Sequence, residues 1–333
     1  MSVPVIAFFN NKGGVGKTTL VYHLAWMFAD LGVKVLAADL DPQANLTAAF
    51  FDEDAQEDLW GSDDHSATIY QAIQPLLRGI GDIVEPFVLE VDNNLFLLLG
   101  DLLLSGFEDE LSSQWPNAMS GNERAFRVLS ALWRVMQHAA VAKASQLILM
   151  DLGPNLGAIN RAGLIAADHI VVPLAPDLFS LQGLRNLGPS FERWRRDWRD
   201  RLDRRPHMDI ELPTGQLPPL GYVVQQHSVR LDRPVKAYDK WINRIPGDYR
   251  KFVLSEDSRG GVSVNNDPHK LAMLKHYRSL MPMAQEARKP MFHLKPADGA
   301  IGAHLQSAEE ARKDFDALAR AIVAKANLPI TLR

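Results

Sequence analysis

Short apolar runs alternate with segments of helical spacing along most of this chain. Residues 3–9, 33–38, 95–99, 147–150, 169–174 and 220–224 are apolar or β-branched nearly throughout. That is the pattern of strands buried on both faces of a parallel sheet. Between them, residues 20–31, 123–143, 181–202 and 234–252 carry helical patterns, and a last helix over 308–325 aligns Phe315, Leu318, Ile322 and Val323 on one face. The alternation predicts an α/β fold, a doubly wound and mostly parallel sheet flanked by helices, with its ligand at the carboxyl ends of the strands. Three polar stretches break the rhythm and read as insertions or mobile loops: an acidic one at 52–66, a Ser/Asn/Gly-rich one at 106–122, and a proline-interrupted one at 204–217. One domain over 1–333 with elaborated edges accounts for the pattern better than two.

The first strand runs straight into Asn11-Lys12-Gly13-Gly14-Val15-Gly16-Lys17-Thr18-Thr19, and the first helix follows. Strand, glycine-rich loop and helix in that order make a phosphate-binding loop. The glycines let the backbone from Gly13 to Gly16 curl with its N–H groups inward, and the helix start adds the positive end of its dipole. Lys17 is placed to neutralise β- and γ-phosphates, and the Thr18 hydroxyl to bind magnesium. Lys12, five residues before Lys17, is a second lysine that an ordinary loop of this kind does not specify.

Two acidic strand ends complete the set. Asp39-Leu40-Asp41-Pro42-Gln43-Ala44-Asn45 follows the second strand, where a carboxylate can hold an attacking water and metal-bound waters. Leu147-Ile148-Leu149-Met150-Asp151 is an apolar run ending in an acid, which suits Asp151 to magnesium, partly through water. Neither run is decisive alone, because acids after strands also cap turns and helices.

The run K-G-G-V-G-K-T-T resembles the deviant Walker A box of the ParA/MinD superfamily, most closely its ParA-type partition ATPases. The resemblance implies a P-loop NTPase fold, ATP and Mg2+ as ligands, and Lys12 reaching across a homodimer to the partner's phosphates. It further implies that Asp41 orients the attacking water and that Asp39 supports the metal shell, because 39–45 is similar to the family's switch I, with Ala44 where glycine is usual. Residues 152–157 resemble its switch II, with Gly153 in place of the first of two prolines. Residues 166–177 and 180–184 look like the family's segment near the base, which brings in Pro176. Gln225 and Gln226 stand where many relatives carry an asparagine that touches adenine, so Gln225 is the candidate base contact. The likeness is dense from residue 3 to about 185 and loose beyond, where 289–294 looks like a late family segment.

Composition narrows the role. The 333 residues are 47% apolar, enough for a large core, and the formal net charge is only −4, so nucleic-acid contact would need a local basic patch. Arg193, Arg195, Arg196, Arg199, Arg201, Arg204 and Arg205 supply one candidate, interleaved with Trp194 and Trp198; Lys270, Lys275 and Arg278 supply a weaker one. Glu192, Asp197, Asp200 and Asp203 sit in the same stretch, so a salt-bridged solvated helix face explains it equally well. The chain has no cysteine, which removes thiolate-held clusters and fits a reducing cytoplasm. The chain ends in Asn327-Leu328-Pro329-Ile330-Thr331-Leu332-Arg333, not in a basic amphipathic helix, which argues against membrane cycling. Two roles remain open. One is DNA partition, through non-specific DNA binding by an ATP dimer that a partner protein stimulates. The other is a nucleotide-switched protein that recruits or positions a protein cargo without DNA.

Overall fold

Eight strands join in one sheet: β1 (Val5–Phe8), β2 (Val35–Asp39), β3 (Leu89–Asp92), β4 (Leu95–Leu98), β5 (Leu147–Asp151), β6 (His169–Leu174), β7 (Pro219–Gln225) and β8 (Lys270–Leu274). Their order is β3-β4-β2-β5-β1-β6-β7-β8, and every pair is parallel except β3–β4. The structure is a computed structural model that describes residues 2–60, 67–225, 240–256, 262–277 and 279–333. Gln226, Arg278 and the parts of the expected elements at 61–66 and 234–239 lie outside the described residues.

Side chains alternate between two cores. Val5, Ala7 and Phe9 face one, Ile6 and Phe8 the other. Among the described residues, helices α1 (Lys17–Asp30), α2 (Asn45–Phe50), α3 (Glu53–Trp60), α4 (Ile69–Leu77), α5 (Phe107–Asn117), α6 (Glu123–Leu129), α7 (Ala131–Ala142), α8 (Ala158–Ala166), α9 (Leu178–Leu202), α10 (Ile245–Phe252), α11 (Leu280–Glu286) and α12 (Ala303–Lys325) accompany the sheet. Buried side chains of α1, α11 and α12 share the core of Ile6 and Phe8, while α4 to α10 cover the opposite face.

The sheet reverses at β1, which has β5 on one side and β6 on the other. A crevice at the carboxyl edge of such a switch point is where a doubly wound sheet takes its ligand. The phosphate loop, Asp39 and Asp151 all leave that edge.

Several expectations change. Residues 106–122 are not a mobile loop: α5 forms there because Phe107 and Leu111, one turn apart, bury in the core and Glu108, Asp109 and Glu110 favour its first turn. The helix expected over 123–143 breaks at Ser130, whose hydroxyl donates to the Phe126 carbonyl (2.7 Å) and accepts from Arg134 Nε (3.1 Å). Two edge strands add to the expected set: β3 alternates half-buried Leu89 and Val91 with exposed Glu90 and Asp92, and β8 carries a short apolar run, 271–274, after Lys270. Residues 204–217 do run without helix or strand. No described helix is long and apolar enough to cross a membrane.

Candidate active site

The loop after β1 turns through Gly14 and Gly16, at φ 71° and 77°. Only glycine holds that left-handed region without strain. Gly16 caps α1 with no side chain over the helix end, so the first-turn amides stay available to an anion. Val15 is fully buried and anchors the loop, which leaves it a backbone role.

Lys17 is 7% exposed, with Nζ 3.4 Å from the Lys12 carbonyl. Burial lowers its pKa, against the pull of Asp151 and Asp41. Thr18 Oγ1 donates to Asp151 Oδ2 at 2.7 Å, whereas Asp151 Oδ1 is buried with no partner. Asp151 pairs in register with Asp39 across β5 and β2. Burial first, and then the charge of Asp39, raises the Asp151 pKa well above the usual carboxylate range.

Magnesium fits these residues. A hydroxyl and an orphaned, charge-strained carboxylate oxygen are hard donors. No group of three or more potential His, Cys, Asp or Glu ligands occurs among the described residues; magnesium can take a single carboxylate and fill its shell with phosphate oxygens and water.

Asp39, expected to support the metal shell, makes these contacts within the protein. Its Oδ2 accepts from the Thr47 amide (2.7 Å) and hydroxyl (2.8 Å), and its Oδ1 from the Asp41 amide (3.2 Å). It thereby fixes the turn into α2, while burial raises its pKa to about 7. Asp41 is 7% exposed; its Oδ1 accepts from the Gln43 amide (3.0 Å) and lies against Gly153. A Cβ at Gly153 would sit 3.1 Å from that oxygen, so glycine makes room for the carboxylate.

Gly13, Gly14, Gly16, Lys17, Thr18, Thr19, Asp41 and Pro154 line a cavity of about 540 Å³, joined from the far side by Arg288 and Lys289. A second cavity of about 340 Å³ lies on the other flank of the loop, between Gly14, Gly16, Thr19 and Gln225 and the side chains of Leu274, Tyr277, Met281, Met291 and Phe315. Gln225 Nε2 donates to the Gly16 carbonyl at 3.1 Å. Pro176 lines neither cavity; it precedes Asp177, which caps α9 and pairs with Lys12. The place of Leu274, Tyr277, Met281 and Phe315 beside the loop is not legible in the sequence, because spacing does not show that an edge strand, a short helix and the last helix meet there.

The arginine stretch divides in two. Arg195 donates to the carbonyls of Gln216 and Leu217, and buried Arg201 to those of Trp115 and Asp197, while Arg204 donates to the Asp200 carbonyl. Trp194 and Trp198 are core residues, 3% and 0% exposed, not stacking platforms. Arg193, Arg196, Arg199 and Arg205 are exposed. Lys270 donates to the Asn265 carbonyl, and Lys275 pairs with Glu310 beside the smaller cavity.

Residues 3–204, more than half of the chain, match the AAA_31 family, described as an AAA domain. The chain belongs to this family, within the ParA/MinD-type P-loop ATPases. The Bacillus subtilis sporulation initiation inhibitor protein Soj is 30% identical over 183 residues, 55% of this chain and 62% of Soj. The Caulobacter vibrioides chromosome partitioning protein ParA is 30% identical over 199 residues, 60% of this chain and 66% of that protein. The match thus spans just under two thirds of these relatives. The crystal structure of protein DIP2308 from Corynebacterium diphtheriae shares the fold, with a TM-score of 0.70 at 24% identity, covering 98% of this chain and 99% of that one.

Proposed function

We propose that this chain is a ParA-like ATPase that binds Mg-ATP, closes as an ATP-sandwich homodimer and hydrolyses ATP slowly as a switch in DNA partition. The observation that carries the reading is the meeting of Lys17, Thr18 and Asp41 at one cavity on the switch-point edge, with buried Asp151 bonded to Thr18 behind it. The triphosphate lies along the loop amides, with Lys17 at the β- and γ-phosphates. Thr18 and Asp151 would hold magnesium, which when bound neutralises charge on the β- and γ-oxygens. Asp41 accepts a hydrogen bond from the attacking water and so fixes its line of approach. The base takes the smaller cavity, against Tyr277 and Phe315 and beside Gln225.

Lys12 stands at the rim, 5.9 Å from the ring of Phe179, which is 68% exposed. Leu178, adjacent to Phe179 in the chain, is also exposed and adds apolar surface. A second copy covering that surface brings its own Lys12 to the first copy's phosphates. Non-specific DNA binding falls to Arg193, Arg196 and Arg199, three to a face along α9. An activating partner protein and a cytoplasmic setting belong to the same reading.

The test is turnover with binding. Phosphate release should require magnesium and be slow without a partner, and DNA binding should require ATP and weaken steeply with salt. DNA indifference in the ATP, ADP and nucleotide-free states would leave an ATPase that recruits protein. Absence of magnesium-dependent hydrolysis would overturn the whole reading.

A further inference from the structure

The carboxylate of Glu108 sits on the start of α8, the helix that follows loop 152–157. Glu108 Oε2 accepts from the Ile159 amide at 2.8 Å, and Oε1 accepts from the Ala158 amide. These are orphan donors of the first turn, and the negative charge also suits the helix dipole. No side chain at Gly157 caps the helix, and a Cβ there would lie 2.5 Å from Glu108 Oε1. The carboxylate therefore comes from α5, roughly fifty residues earlier in the chain. A second contact ties the same two helices, because Arg161 of α8 lies 4.0 Å over the ring of Trp115 in α5.

From α8 the connection runs back to the candidate reaction centre. Asn160, 1% exposed, donates through Nδ2 to the Gly153 carbonyl (3.0 Å) and to the Asn155 carbonyl (2.8 Å) and side chain (3.0 Å). Gly153 is the residue packed against Asp41. Only three contacts separate the Glu108 carboxylate from the Asp41 carboxylate: two are hydrogen bonds, and the third is the approach of Gly153 to Asp41, where an added Cβ would be tight at 3.1 Å.

We infer that Glu108 is a positioning residue for ATP hydrolysis: by clamping the start of α8 it sets where Gly153 holds the Asp41 carboxylate, and so controls turnover without touching nucleotide. This rests on the proposed ATPase reading. The loop amides, Lys17 and Thr18 that hold nucleotide belong to the β1–α1 loop and the start of α1, and the chain of contacts reaches their cavity only through Pro154 and Asp41, so affinity and turnover should separate.

The experiment compares wild type, Glu108→Ala and Glu108→Gln by single-turnover ATP hydrolysis, equilibrium binding of the non-cleavable analogue AMPPNP, and thermal melting. Glu108→Gln preserves shape but has one accepting oxygen for two amides, so it remains folded and tests the clamp alone. Expected is a fall in the hydrolysis rate of tenfold or more for Glu108→Ala, a smaller fall for Glu108→Gln, and AMPPNP affinity within twofold of wild type for both. Amide hydrogen exchange across 153–159 should quicken in the same order. Wild-type hydrolysis in Glu108→Ala would overturn the proposal. So would rate and AMPPNP affinity falling together in Glu108→Gln, which would mark a general prop. A wild type that binds AMPPNP yet never hydrolyses ATP would overturn the ATPase reading itself.

Discussion

The Lys12 ammonium lies 2.6 Å from the Asp177 carboxylate, at the capped start of α9. Burial alone would raise the Asp177 pKa, but hydrogen bonds from Lys12 and from the Ser180 amide more than offset it and hold it below its ordinary value. In the single chain Lys12 is therefore parked on its own subunit. A cross-subunit role requires it to exchange Asp177 for a partner's phosphate. The pair is about one quarter exposed on each side, so it contributes no more than about 1 kcal/mol.

Asp177→Asn keeps the capping oxygen and weakens the ion pair. It should promote the ATP-dependent dimer by up to about thirtyfold in dissociation constant, because closing a homodimer gives up two such pairs, about 2 kcal/mol together. Lys12→Ala should bind nucleotide and lose the dimer. Sedimentation showing an intact ATP dimer in Lys12→Ala would remove the lysine from the interface.

Lys17 and Asp41 should fail in different ways. Lys17→Ala removes the buried cation that meets the phosphates, and a lost charged hydrogen bond of roughly 2–3 kcal/mol weakens nucleotide binding at least tenfold. Asp41→Ala should bind ATP within a few-fold of wild type while hydrolysis drops by about a hundredfold or more. Normal phosphate release from Asp41→Ala would exclude water positioning by that carboxylate.

Much of this site is visible in the sequence because each part is local. A glycine loop between strand and helix, or an acid closing an apolar run, is written in consecutive residues. Gly153 shows the boundary of that legibility. The sequence shows only that it stands in place of a proline, whereas in the fold it is space for Asp41, and nothing adjacent to it records the contact. Asp39 is similar: the motif places it at the right strand end, but only Thr47, eight residues on, reveals which way its oxygens turn. The helix within 106–122 is hard to see in the sequence because its polar composition conceals Phe107 and Leu111, the two residues that dock α5. Tryptophans 194 and 198 were ambiguous for the opposite reason, since a helix pattern does not say which face meets the core.

The same division tells the DNA experiment which arginines to remove. Arg193, Arg196 and Arg199 can be replaced together by alanine with little effect on melting, because they are exposed. If they neutralise phosphates, the slope of log affinity against log salt should fall by about three. Arg201→Ala should instead destabilise the fold, because its guanidinium donates to two carbonyls and lies 3.9 Å over the Trp115 ring. An unchanged salt slope in the triple variant would clear α9 of a role in DNA binding.

His23 provides a pH test of the packing behind the phosphate loop. Its Nδ1 bonds the Thr19 carbonyl (2.8 Å), its Nε2 accepts from the Met291 amide (3.2 Å), and its ring stacks on Phe315. The neutral ring satisfies both contacts; a proton on Nε2 would abolish the second. Burial lowers its pKa from 6.5 to about 4. Between those values the unfolded chain takes up a proton that the folded chain refuses. The stability contributed by neutral His23 is therefore complete above pH 6.5 and lost as pH falls toward 4, by roughly 3 kcal/mol in all. Asp39 and Asp151, with raised pKa values, act in the opposite sense over part of this range, so wild type alone does not isolate the histidine. His23→Gln leaves those carboxylates in place, and their contribution cancels in the difference. Chemical denaturation of both proteins from pH 8 to pH 4 should show His23→Gln less stable at pH 8 but losing less between pH 6.5 and 4. Parallel curves across that interval would mean that His23 titrates alike in the folded and unfolded chains, and that burial does not hold it neutral.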